Sequence, residues 1–144
     1  MPHPNIVRAA AIVLAGMAPS AASAACSISV QNVAFGDYNV LSSAPRTGTG
    51  AIDVSCDAAV PYTISLTPGQ GTYASRQMAG PSNLSYNLFT TAAHASIWGD
   101  GSGGTAIVAG NATAATHTIY GRIPALQNVR AGDYSDILMV TITY

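Results

Sequence analysis

The chain has 144 residues and a formal net charge of −1; only 8% of its residues are charged, while 49% are hydrophobic. All five cations are arginines, lysine and glutamate are absent, and no basic cluster forms. That excludes a nucleic-acid binder of the electrostatic kind, which concentrates cations on one face. No apolar run reaches the length of a permanent membrane-spanning helix, so solubility must rest on Ser, Thr, Asn and Gly, as suits an extracellular β-protein.

The start of the chain has the layout of an export signal. Arg8 precedes an apolar run from Ala9 to Met17, and small residues follow at Ala22-Ser23-Ala24. Residues 1–24 are therefore expected to be a secretory signal. Cleavage after Ala24 would leave residues 25–144, enough chain for one domain with its own core and too little for two. The mature chain then carries four arginines against six aspartates, a net charge of −2.

Beyond the signal the hydrophobic period is two. A first strand is expected from Ser27 to Phe35. Ile52, Val54 and Cys56 then alternate with Asp53 and Ser55, Tyr62, Ile64 and Leu66 with Thr63 and Ser65, and Leu84, Tyr86 and Leu88 with Ser85 and Asn87. A further strand holds His117 to Tyr120, and a last one runs from Ser135 to Tyr144. Turn-forming residues separate them at Gly36-Asp37, Pro45 to Gly50, Pro68 to Gly71, Gly80 to Asn83, Gly99 to Gly104, Gly110-Asn111 and Ala131 to Asp133. One helical turn is expected near Thr90 to Ala95. Short alternating strands with such breaks predict an all-β, antiparallel sandwich or barrel.

Catalytic and metal chemistry finds little footing in these residues. The string Trp98-Gly99-Asp100-Gly101-Ser102-Gly103-Gly104 differs by one inserted glycine from the surroundings of a trypsin-like nucleophile. A nucleophilic serine needs its base and oxyanion donors in fixed register, so a glycine-rich hairpin is the better reading. Asp100 is that loop's only carboxylate, too few for calcium. His94 and His117 lack metal-ligand spacing. Arg122 is read either as a partner of Asp133 or Asp136 across neighbouring strands or as a solvated edge charge. The sequons at Asn83 and Asn111 are short, common patterns and are given no role. No catalytic, cofactor or metal site is expected.

Two cysteines remain, Cys26 and Cys56, 30 positions apart. An even count in an exported chain favours a Cys26–Cys56 disulfide, and the chain-entropy model gives such a loop about 3–4 kcal/mol. A lipid anchor at Cys26 is the competing reading. It wants an aliphatic residue three positions earlier, where Ser23 stands, and it would leave Cys56 alone.

Taken in order, Cys26, "FGDY" at Phe35 to Tyr38, "VSC" at Val54 to Cys56, "LSYNLFT" at Leu84 to Thr90, "WGDGSGGT" at Trp98 to Thr105, "YGRIPALQNVRAGDYSD" at Tyr120 to Asp136 and the terminal "VTITY" form a pattern. It resembles the spore coat protein U domain family, which includes subunits of archaic, Csu-type chaperone–usher pili. The resemblance implies an immunoglobulin-like antiparallel β-sandwich incomplete by one strand. It also implies as partners a periplasmic pilus chaperone that lends a strand, an outer-membrane usher, and other pilin subunits; a host or abiotic surface would be the contact of an adhesive subunit. The last strand, with Leu138, Val140, Ile142 and Tyr144, is expected to face the chaperone or an exchanged strand.

In one respect the sequence departs from a shaft pilin. A donor strand of about 10 residues spans roughly 33 Å, yet cleavage after Ala24 would leave only Ala25, reaching about 3–4 Å. The expectation is a non-enzymatic structural or adhesive subunit, exported through the periplasm to the cell surface, which accepts a strand without donating one and so suits a pilus tip. The alternative is a self-contained secreted coat or matrix protein that folds without strand exchange.

Overall fold

The structure is a computed structural model and describes residues 24–144; the expected signal, residues 1–24, lies outside the described residues but for Ala24. Nine strands follow one another: β1 (Cys26–Gln31), β2 (Arg46–Cys56), β3 (Pro61–Leu66), β4 (Gln70–Gly71), β5 (Arg76–Ala79), β6 (Asn83–Phe89), β7 (Val108–Asn111), β8 (Ala114–Ile123) and β9 (Val140–Thr143). They build two sheets, a six-stranded one in the order β1-β2-β8-β6-β5-β4 and a three-stranded one in the order β7-β3-β9. Every pairing between strands is antiparallel. The fold is the expected immunoglobulin-like sandwich.

Alternation places the core where the sequence puts it. Ile52 and Val54 of β2, Tyr62, Ile64 and Leu66 of β3, and Leu84, Tyr86 and Leu88 of β6 are all buried, as is Ile119 of β8. A one-residue slip of any of these strands would turn its apolar set to water. Cys26 faces Cys56 in the β1–β2 register, and the two form a disulfide. The bridge staples the first strand to the end of the second and engages the Cys26 sulfur that the lipid-anchor reading needs.

Trp98 and Arg76 fill the far side of the core, both fully buried. The Trp98 indole N–H donates to the Ile64 carbonyl at 3.0 Å. Arg76 donates to the Thr67 carbonyl, to Asn87 Oδ1 at 2.7 Å and to the Trp98 carbonyl at 2.6 Å, and its guanidinium sits 5.5 Å from the Tyr73 ring centroid. Burial pulls the guanidinium below its ordinary pKa, although arginine stays charged in proteins. A buried cation bound mainly by carbonyl and amide oxygens holds only because each such bond is charge-assisted.

Several expected boundaries move. The run Pro45 to Gly50, read as a turn, belongs with the start of β2: Arg46 to Gly50 pair with β8 opposite Ile123 to Ile119. Gln70-Gly71 form β4, and Gly110-Asn111 end β7. The first strand stops at Gln31 instead of Phe35, and the last is paired only over Val140–Thr143, although Ser135 exchanges hydrogen bonds with Ala79. Near Thr90 to Ala95 the chain makes one turn, closed by the His94 N–H on the Thr91 carbonyl.

Candidate functional site

The two sheets do not close on each other. β1 is an edge of the six-stranded sheet and β9 an edge of the three-stranded one, and a groove of about 970 Å³ lies where these edges approach. Residues 30–40 form one wall and residues 129–138, with Val140, the other. Met78, Leu84, Tyr86, Leu88, Ile119 and Ile123 provide an apolar floor.

Past the end of β1 and ahead of β9 both walls carry strand periodicity with few strand partners, the bridge between Ser135 and Ala79 being one. In the first, Val33 and Phe35 are half-buried while Asn32 and Ala34 are exposed. In the second, Leu138 is half-buried, whereas Ile137 is 89% and Met139 67% exposed. Met139 bonds toward β3, its N–H to Thr67 Oγ1 and its carbonyl to the Thr67 N–H. Backbone groups in an antiparallel strand alternate between its two sides. Those of Leu138, Val140 and Ile142 therefore turn away from β3 toward the open edge, while their side chains point inward.

Of the residues expected to face an exchanged strand, Leu138 and Val140 line the groove, and Ile142 lies further along the same edge, half-buried. Tyr144 falls beyond β9, is 54% exposed, and does not line the groove.

The first wall rests on glycines. A Cβ on Gly48 would stand 2.6 Å from the Ala34 carbonyl oxygen, one on Gly50 2.5 Å from that of Gln31, and one on Gly121 2.6 Å from the tip of the Phe35 ring. Three bare backbones on neighbouring β2 and β8 thus make room for residues 31–35 to cross the sheet's inner face. Arg46 fixes this wall through an Nε–H bond to the Phe35 carbonyl at 2.6 Å. Tyr38 anchors its far end, donating to the Pro124 carbonyl at 2.7 Å and accepting the Gln127 N–H. Sequence reading missed the glycine bed, because Thr-Gly-Thr-Gly signals a turn locally; the only clue was the period-two spacing of Gly48 and Gly50 with Ile52 and Val54.

One polar pair interrupts the apolar lining. Tyr86 Oη donates to Asp136 Oδ2 at 2.6 Å, and Asp136 Oδ1 accepts the N–H groups of Gln70 at 3.0 Å and Ile137 at 2.9 Å. Burial, reinforced by that carboxylate, pushes the Tyr86 phenol far above its ordinary pKa, so it remains the donor. Phe35 meets the Tyr86 ring edge-on at 6.1 Å. Phe35, Tyr86 and Asp136 thus run from one wall across the floor to the other.

The remaining candidates are scattered. Asp100 accepts bonds from the Ser102 N–H and hydroxyl, which hold its carboxyl below the usual range; His94 packs on Phe89 instead. His117 shares a 2.8 Å hydrogen bond with the Tyr62 hydroxyl, and burial lowers its pKa. Arg122 is exposed on β8, opposite Thr47 and Asn87, while Asp136 is engaged by Tyr86 and Gln70. Among the described residues no cluster suits a metal ion, and no helix is long and apolar enough to cross a membrane.

A disulfide-stapled β-sandwich with two unpaired facing edges is the class that fold and groove define. The Spore Coat Protein U domain model matches residues 12–141, and the chain belongs to that family. It is 31% identical over 109 residues to Protein U of Myxococcus xanthus, covering 67% of this chain and 60% of that protein. It also superposes, with a TM-score of 0.61 and 21% identity over 84% of its length, on a chain of the chaperone–tip adhesion subunit complex from the archaic chaperone–usher Csu pili of Acinetobacter baumannii. There it spans 40% of the solved chain; it is thus shorter than both relatives. The likeness to the pilus complex supports the sandwich fold.

Proposed function

We propose that this protein is a non-enzymatic subunit of a surface appendage of the chaperone–usher type, and that its groove accepts a strand from a partner chain. The carrying observation is the edge from Leu138 to Ile142, where outward backbone groups and inward apolar side chains both await a neighbour. An extended segment laid there would gain main-chain hydrogen bonds along β9 and fill the apolar floor with alternate side chains. Left open, the same edge is a template for aggregation, which gives a periplasmic chaperone its purpose before an outer-membrane usher and further subunits take over.

Export through the periplasm to the cell surface follows from this reading. Cleavage after Ala24 would leave no donor arm, which supports an acceptor-only place such as the pilus tip, in contact with a host or abiotic surface. Periplasmic production with and without the cognate chaperone tests the reading. Soluble yield should rise sharply with chaperone, in a one-to-one complex, and β9 amides should gain protection from hydrogen exchange. A stable monomer made alone and indifferent to the chaperone would overturn it.

That outcome would instead favour a self-contained coat or matrix protein. The observation on its side is the first wall, where Val33 and Phe35 already cover part of the opening. It requires one cooperative unfolding transition without any partner.

A further inference from the structure

The groove's lining includes four charged residues, Asp37, Asp133, Asp136 and Arg130, so negative charge prevails around an otherwise apolar channel. Asp136 is the one that reaches the floor, through its bond to Tyr86. A carboxylate offers about four acceptor positions. Asp136 uses two on Oδ1, for Gln70 and Ile137, and one on Oδ2, for Tyr86, so Oδ2 has capacity for one further donor. Arg76, behind Tyr86, spends its hydrogen bonds on Thr67, Asn87 and Trp98 and does not line the groove.

A seated strand would run between Phe35 on one wall and Asp136 on the other, over Tyr86, and would shield that oxygen from solvent. An apolar side chain at that point would leave a carboxylate oxygen desolvated and short of a donor, which is costly. A cationic side chain restores the bond in charge-assisted form and offsets the acidic lining.

We propose that the strand seated in this groove carries a lysine or arginine among its inward apolar side chains, at the position that passes Tyr86 and Asp136. This rests on the strand-accepting reading and deepens it: the polar pair sets the register of the incoming strand, since a shift by two residues carries the cation over bare Leu or Ile.

The test uses the exported chain and fluorescein-labelled ten-residue peptides, apolar at alternate positions, with each inward position changed in turn from norleucine to lysine. Fluorescence anisotropy should show one position at which lysine tightens binding about tenfold or more. Asp136→Asn should abolish that gain. Tyr86→Phe, which removes the competing donor and keeps the carboxylate, should retain or enlarge it. If apolar peptides bind and lysine helps at no position, or if its gain survives Asp136→Asn or vanishes in Tyr86→Phe, the proposal falls while the groove still accepts strands. If no peptide binds, the strand-accepting reading falls with it. Thermal melts of both variants confirm that each remains folded.

Discussion

The two sides of the sandwich solve the same problem in opposite ways. Around Arg76 and Trp98 even a buried cation is fully provided for, and no buried side-chain nitrogen or oxygen among the described residues lacks a partner. At the groove, residues 32–38 and 134–139 keep the alternation of strands but have few strand-to-strand hydrogen bonds. Polar satisfaction is thus complete where the fold is closed, while backbone pairing is left undone where a partner is expected. The contrast separates what stabilises the protein from the face proposed to receive a strand.

The largest blow to the closed side should come from Arg76→Leu. It strips the Thr67 and Trp98 carbonyls of their guanidinium donor and leaves Asn87 Oδ1 with only the Leu88 N–H, and the expected loss is about 3–5 kcal/mol, read from the denaturant midpoint. Cys26→Ser should follow at about 3–4 kcal/mol on the chain-entropy model for a 30-residue separation. Finding two free thiols in periplasmically produced protein would refute the bridge.

Gly121→Val aims at the open side. Its new side chain would collide with Val33 and Phe35, and the expected cost is about 1–3 kcal/mol, with a larger proportional loss of chaperone binding because the first wall is lifted. Equal losses at both readouts would mean that the wall is only structural.

The smallest effect is a pH dependence that joins the two sheets. His117 on β8 and Tyr62 on β3 share a hydrogen bond across the sandwich, and burial lowers the folded pKa of the imidazole below its ordinary value of about 6.5. The folded state then prefers the neutral ring. Its contribution is fully present above about pH 6.5 and is lost as pH falls from there through the lowered folded value. The melting temperature should dip modestly on that acid limb, and His117→Gln should flatten the dip. An unchanged dip in the variant would assign it to other groups.

Much of this was legible in the chain. Ile52, Val54, Tyr62, Ile64, Leu84 and Leu88 announce their buried faces through a period of two, because the alternation of side chains along a strand is a local property of the backbone. The pairing of Cys26 with Cys56 follows from their being the only two thiols. Leu138, Val140 and Ile142 share one phase of the same alternation, while Tyr144 carries that phase past the end of β9; that they face a chaperone or an exchanged strand is what the family resemblance implies and not a reading of the period.

Partnership, in contrast, is not local. Gly48 and Gly50 look like a turn, yet they lie within the longest strand, since their missing side chains are needed by a segment that crosses above them. Residues 32–35 and 135–139 read as strands from sequence and remain largely unpaired, because no strand of either sheet runs alongside them over most of their length. Arg76 gave no sign of burial, as its neutral oxygen partners come from three separate stretches of chain. Sequence alone determined which faces are apolar and that the fold is an antiparallel sandwich. Only the tertiary structure decided where the sheets stop, what the glycines make room for, and that Tyr86 and Asp136 meet in the opening, because each depends on segments distant in the chain arriving at one place.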